Sequence, residues 1–164
     1  MLYYFLFPLS EHISSFNVFR YITFRTIYAT LTAFFICFIL GPWVIKKLQR
    51  LQIGQYIREG GPDTHKAKGG TPTMGGLMII GSVLISGILW ADITNPFIWI
   101  TLLTMVLFGG IGFADDYIKV VKKNNLGLRA KQKMALQILA AIIVAVLLLV
   151  AGLSTVVTIP FVKE

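Results

Sequence analysis

Four stretches without a charged residue constrain this chain more than anything else in it. No Asp, Glu, Lys or Arg occurs in 26–45, 69–91, 93–114 or 134–162, runs of 20, 23, 22 and 29 residues. About 20 apolar residues in a helix cross the hydrocarbon core of a bilayer, so each run is long enough to span. Inside lipid the backbone must satisfy its own hydrogen bonds, which leaves the helix as the form such runs take. Only 13% of the residues are charged, about half the fraction of a soluble domain. A soluble globular domain is excluded. The expected fold is all-α, a polytopic integral membrane protein whose single membrane domain, 1–164, holds four transmembrane helices.

The helices are expected at about 24–45, 74–91, 96–116 and 134–152, with polar loops at 46–73 and 117–133. Gly41-Pro42 should kink the last turn of the first helix, and Asn95-Pro96 should open the third. Residues 1–23 carry Tyr3, Tyr4, Phe5, Phe7, Phe16, Phe19 and Tyr21, the composition of an interfacial aromatic segment. They lack the basic start of a secretory signal. The tail Ser154–Phe161, rich in Val, Thr and Ile, reads as a strand. One cysteine, Cys37, allows no intrachain disulfide and no Cys-based zinc site, and His12 and His65 are too far apart for a His cluster.

The net charge is +8, but its distribution argues against nucleic acid as a partner. Of the 15 basic residues, 12 fall in the two loops: Lys46, Lys47, Arg50, Arg58, Lys66 and Lys68 in one, Lys119, Lys122, Lys123, Arg129, Lys131 and Lys133 in the other. Basic residues collect in cytoplasmic loops. Both loops are therefore expected in the cytoplasm, with the N-terminus, the Asp92–Asn95 turn and the C-terminal tail on the other side.

Asp115-Asp116 is the most informative pair. From Pro96 to Asp115 is about 28 Å of helix at 1.5 Å per residue, so the pair should emerge at the cytoplasmic interface, where lipid head groups sit. Acids at a helix C-terminus oppose the macrodipole and call for a cation. Adjacent residues point about 100° apart on a helix, so one carboxylate can face a metal while the other faces a proton or supports the site. The bland reading is that they only end a helix. The run from His65 to Gly76 adds Lys66, Lys68, Thr71, Thr73 and a glycine-rich backbone at the entry of the second helix, whose N-terminal dipole favours anions. Helix entry, with Thr71 as cap and Pro72 in the first turn, explains the same run equally well. It is not a P-loop, since no Gly-Lys-Ser/Thr follows the glycines. Six cations between Lys119 and Lys133 are either a solvated face or, beside two carboxylates, a place for a metal and phosphates. Gly109, Gly110 and Gly112 read as close helix packing.

Together these motifs resemble the phospho-N-acetylmuramoyl-pentapeptide transferases, within the polyprenyl-phosphate N-acetylhexosamine-1-phosphate transferase superfamily. The resemblance rests on Phe16-Asn17-Val18-Phe19, Tyr21-Ile22-Thr23-Phe24-Arg25, Gly41-Pro42, Gly61-Pro62, His65 and the run Lys68-Gly69-Gly70-Thr71-Pro72-Thr73-Met74-Gly75-Gly76. It continues through Gly112-Phe113, Asp115-Asp116-Tyr117, Lys119-Val120-Val121, Gly127-Leu128, Lys133 and Gln137. The resemblance implies a Mg²⁺-dependent transfer of phospho-MurNAc-pentapeptide from its UDP carrier to undecaprenyl phosphate, giving lipid I and UMP for peptidoglycan synthesis. It implies a catalytic and metal role for Asp115 and Asp116, and phosphate contacts for Lys68, Thr71, Thr73, Lys119, Lys123 and Lys133. It places such a protein in the bacterial inner membrane with its site on the cytoplasmic side, and leaves room for a homodimer of the full-length protein. The family has about ten spanning helices, so the resemblance implies an N-terminal portion that is inactive alone. A sister enzyme moving GlcNAc-1-phosphate onto a polyprenyl phosphate shares the aspartate pair. In a transporter subunit the pair would line an ion path, and in a non-catalytic scaffold it has no task.

Overall fold

The computed structural model describes residues 2–50, 74–122 and 127–155. Every regular element among them is helical. A short helix α1 (Leu2–Leu6) and 3-10 turns at Pro8–Glu11 and Ser14–Arg20 lead into α2 (Ile22–Arg50); α3 (Gly75–Trp90), α4 (Pro96–Val121) and α5 (Ala130–Val150) follow. The expected strand lies outside the described residues from position 156 on, and Ser154 and Thr155 are not in one.

Three of these helices, α2, α4 and α5, are long and apolar enough to cross a membrane, at 29, 26 and 21 residues. At 16 residues, α3 is about 24 Å long, short of the ~30 Å hydrocarbon core. Large apolar side chains stay on the outside: Phe38 of α2 is 71% exposed and Val150 of α5 is 80%. That is the surface of a protein solvated by lipid rather than by water, and the chain is a polytopic membrane protein.

The helices overrun the boundaries set by charge. α2 does not end near Ile45 but continues to Arg50, with Pro42 inside it. Proline forfeits one ladder bond, and the Lys-Lys-Leu-Gln-Arg run after Ile45 restores good helix formers. α4 continues past Asp116 to Val121, and α5 begins at Ala130, taking in Lys131 and Lys133. The absence of charge marks the part of a helix in hydrocarbon, whereas the helix itself projects beyond it. α4 opens as expected: Pro96 is its first residue and the Asn95 side chain accepts the Phe97 N–H at 2.9 Å. α3 is entered differently from the Thr71 reading, through Met74, whose left-handed φ of 73° turns the chain into the helix. Thr71 itself lies outside the described residues.

The α2–α3 seam runs antiparallel. Ser86 Oγ donates to the Ala29 carbonyl, Cys37 Sγ lies 3.2 Å from Ser82 Oγ, and Gly41 faces Met78. Ser82 and Ser86 are buried, and each hydroxyl has a carbonyl to donate to, which removes the cost of burying it. Small residues let these backbones approach, as helices packed in lipid require. α3 and α4 form a hairpin in which glycines alternate: Gly87 of α3 receives Leu102, and Gly109 of α4 receives Ile80. Gly110 and Gly112 have nothing within 4 Å of where a Cβ would stand, so of the three expected packing glycines only Gly109 packs.

At the end of the bundle marked by the α3–α4 turn, the N-terminal segment folds over the helices. Phe19 stacks on Trp90 at 6.2 Å, and Tyr28 also contacts Trp90. The Tyr4 hydroxyl bonds to Asp92 and, at 2.8 Å, to Thr94. The aromatic segment expected from composition is thus docked on the bundle.

Candidate functional site

The last turns of α4 carry acids, and the first turns of α5 carry bases. Each placement opposes its own helix macrodipole. The fold resolves both by bringing the two ends together. Since α4 continues past the acids, Lys119 stands three and four residues beyond them, on the same face. Its ammonium bridges both carboxylates, 2.7 Å from Asp115 Oδ2 and 3.0 Å from Asp116 Oδ1. Lys133 of α5 reaches Asp115 Oδ2 at 3.5 Å.

The two aspartates differ in their surroundings. Asp115 is buried at 7% exposure, and its Oδ1 accepts the Leu128 N–H at 2.8 Å while Oδ2 meets the two lysines. Asp116 keeps about a third of its side chain exposed and shares Lys119. Both line one end of an open groove of about 620 Å³ whose opposite walls are apolar, formed by Leu77, Ile80, Met105 and Phe108. Lys119 and Lys133 also line it, as does Met74, with its left-handed backbone. The site therefore joins a lipid-like channel to a cluster of two carboxylates and two ammonium groups.

Of the residues expected from sequence, Asp115, Asp116, Lys119 and Lys133 come together here. Lys68, Thr71, Thr73, Lys123 and His65 lie outside the described residues. His12 is in the N-terminal segment, away from this cluster. Gly127-Leu128 belongs to the motifs that carry the family resemblance, but sequence reasoning gave the pair no role beside Asp115. Leu128 acts through its backbone N–H and Gly127 through the side chain it lacks, so the chemistry of neither residue points to the site.

Magnesium takes oxygen ligands and is usually held by one or two carboxylates together with substrate phosphates. Among the described residues no group of three or more His, Cys, Asp or Glu is placed to hold a metal. The aspartate pair fits a site that substrate oxygens complete.

No family model matches the chain. Curated proteins match it closely along its whole length. A phospho-N-acetylmuramoyl-pentapeptide transferase of Desulforapulum autotrophicum is 56% identical over 165 residues, covering 100% of this chain. Those of Desulfosudis oleivorans and Desulfatibacillum aliphaticivorans are 57% and 55% identical, again over 100% of it. The chain is homologous throughout to phospho-N-acetylmuramoyl-pentapeptide transferases. It spans about half the length of these transferases, 46% in each of the three, which is consistent with an N-terminal portion of one.

Proposed function

We propose that this chain contributes the aspartate pair and part of the phosphate-binding surface of a phospho-N-acetylmuramoyl-pentapeptide transferase. The reaction moves phospho-MurNAc-pentapeptide from UDP to undecaprenyl phosphate at the cytoplasmic face of the bacterial inner membrane, giving lipid I and UMP. The observation that carries this reading is the meeting of Asp115, Asp116, Lys119 and Lys133 at the end of an apolar groove. An acceptor with a phosphate head and a prenyl tail needs both parts of that surface.

In the reaction an oxygen of the lipid phosphate attacks the sugar-bearing phosphorus of the donor. One P–O bond forms, and the bond from that phosphorus to the bridging oxygen breaks as UMP leaves. Two anions must approach each other, so positive charge has to be in place beforehand. Lys119 and Lys133 supply it from the protein. Lys133 is the more loosely held, at 3.5 Å and 42% exposed, and so the better able to turn toward an arriving phosphate. Asp116, exposed toward the groove, is the carboxylate with room to take the proton of the lipid phosphate. Asp115 orients the lysines. Magnesium, which Asp115 and Asp116 would hold with substrate oxygens, supplies charge neutralisation on the phosphates when bound.

The test uses a full-length transferase in which this chain replaces the matching segment of the Desulforapulum autotrophicum relative. Asp116→Asn should lower kcat by about 10²–10⁴-fold, the range for loss of a general base. Lys133→Ala should act mainly on the apparent affinity for the UDP-linked donor, because it meets phosphate in ground and transition states alike. Near-normal rates for Asp115→Asn and Asp116→Asn at limiting magnesium would make the pair structural and end this reading.

A further inference from the structure

The segment entering α5 passes Asp115 at a distance that only a residue without a side chain allows. A Cβ built at Gly127 would lie 2.8 Å from Asp115 Cγ and 2.9 Å from the Asp115 carbonyl oxygen, and would press on Oδ1 as well. Carbon atoms do not sit under 3.0 Å from such neighbours in folded proteins. The need is for space and not for backbone freedom: the one glycine with positive φ among the described residues is Gly152. We infer that Gly127 is a positioning residue of the site. Its missing side chain lets the Leu128 N–H grip Asp115 Oδ1, which in turn leaves Oδ2 facing Lys119 and Lys133.

The argument runs through the division of labour between the two carboxylate oxygens. Oδ1 is held by backbone at 2.8 Å, so the carboxylate plane is set by the chain and not by a mobile side chain. Oδ2 then anchors one ammonium from α4 and one from α5. A methyl group at position 127 can be accommodated in two ways. Rotating the carboxylate breaks the Leu128 bond and pulls Oδ2 off both lysines. It also leaves the contact with the Asp115 carbonyl, which belongs to the helix and cannot rotate. Shifting the segment relieves that contact, but withdraws the Leu128 N–H and moves the start of α5, with Lys133, away from α4. Either way the charge cluster loosens. Catalytic groups tolerate displacement of only about 0.5 Å before rate suffers.

This inference rests on the transferase reading for its kinetic arm, and its stability arm stands without that reading. In the full-length transferase carrying this chain, Gly127→Ala should lower kcat by about 10²-fold, the loss expected from a misplacement of about 1 Å, and should raise donor KM as Lys133 is drawn from the cluster. In an Asp115→Ala background the same substitution should cost clearly less, because the carboxylate it positions has gone and only the contact with the backbone carbonyl of position 115 remains. Independent multiplication of the two losses, or a normal rate for Gly127→Ala, overturns the positioning role. The stability arm follows the thermal midpoint of the 164-residue chain in detergent. Gly127→Ala should lower it with Asp115 present, and by less in the Asp115→Ala background. Should Gly127→Ala fail to fold, the double variant should recover folding, and equal failure of both overturns the inference. If the unsubstituted full-length transferase is inactive, the proposed function falls. The thermal cycle still decides the clamp, which is refuted by equal shifts in the two backgrounds.

Discussion

Asp92 shows how a single half-buried carboxylate can tie the Tyr4 segment to a bundle. Its oxygen accepts from the Thr94 and Tyr4 hydroxyls, and these two donors, Thr94 first, hold its carboxyl below the ordinary range. A carboxylate whose pKa is lowered by folding contributes stability above its unfolded pKa and loses it as the group protonates. The tether should therefore hold at neutral pH and weaken as pH falls through about 4 and below. Trp90, stacked on Phe19, reports on the docked segment. With Trp43 and Trp99 replaced by Phe, its fluorescence should change on acidification, and Asp92→Asn should abolish the change. The same transition in Asp92→Asn would show that some other group is responsible. Asp115 is tied differently, by two lysines from two helices and one backbone N–H, so its loss affects the geometry of a site rather than the docking of a strap.

Among the elements, the α3–α4 hairpin is where side-chain size matters most. Ile80 fills the space over Gly109, and the same two residues line the groove. Gly109→Leu should force Ile80 aside at a cost of about 1–3 kcal/mol, the usual penalty for overpacking. A lower thermal midpoint would register it, and an unchanged midpoint would mean that the hairpin is not close-packed there. The elements themselves were legible in the sequence because charge cannot enter hydrocarbon. The gaps between Arg25 and Lys46, or Asp92 and Asp115, therefore mark the spans closely. The charged helix ends were not legible, because Lys46 through Arg50 and Lys131 through Lys133 are as helical as their apolar neighbours. The Asp115-Asp116 pair and the nearby Lys119 and Lys133 could be read as a site from their charge and their level in the membrane. That both acids share Lys119 depends on α4 continuing past them, which the hydropathy pattern does not reveal. The serine contacts of the α2–α3 seam were equally hidden, since Ser82 and Ser86 look like any small polar residue in an apolar run.

For the molecule as a whole, every described lysine of the site lies at the end opposite the Asp92–Asn95 turn, since α3 and α4 are joined there as a hairpin. Basic residues stay in the cytoplasm, so Gln49, near the end of α2, should face inward and Asn95 outward. Cysteines at these two positions, each in a Cys37→Ser chain, can be probed with a membrane-impermeant maleimide on intact cells. Asn95→Cys should label and Gln49→Cys should not, and the reverse pattern would invert the topology and put the aspartates on the wrong face for a UDP-linked donor. The apolar flanks of α2 and α5 should also keep the chain in the membrane pellet through an alkaline wash.

The contacts of Tyr4 with Asp92 and Thr94 span 88 and 90 positions of sequence. A ribosome adds about 5–20 residues per second, so Tyr4 is made several seconds before its partners exist. Throughout that interval the first residues of the chain have no bundle to rest on, although their own 3-10 turns can already form. The Tyr4 segment therefore cannot dock until the α3–α4 turn has been made. A modification, an added tag or a delay in translation that occupies those residues early would be felt as a failure to close this strap over the helices it joins.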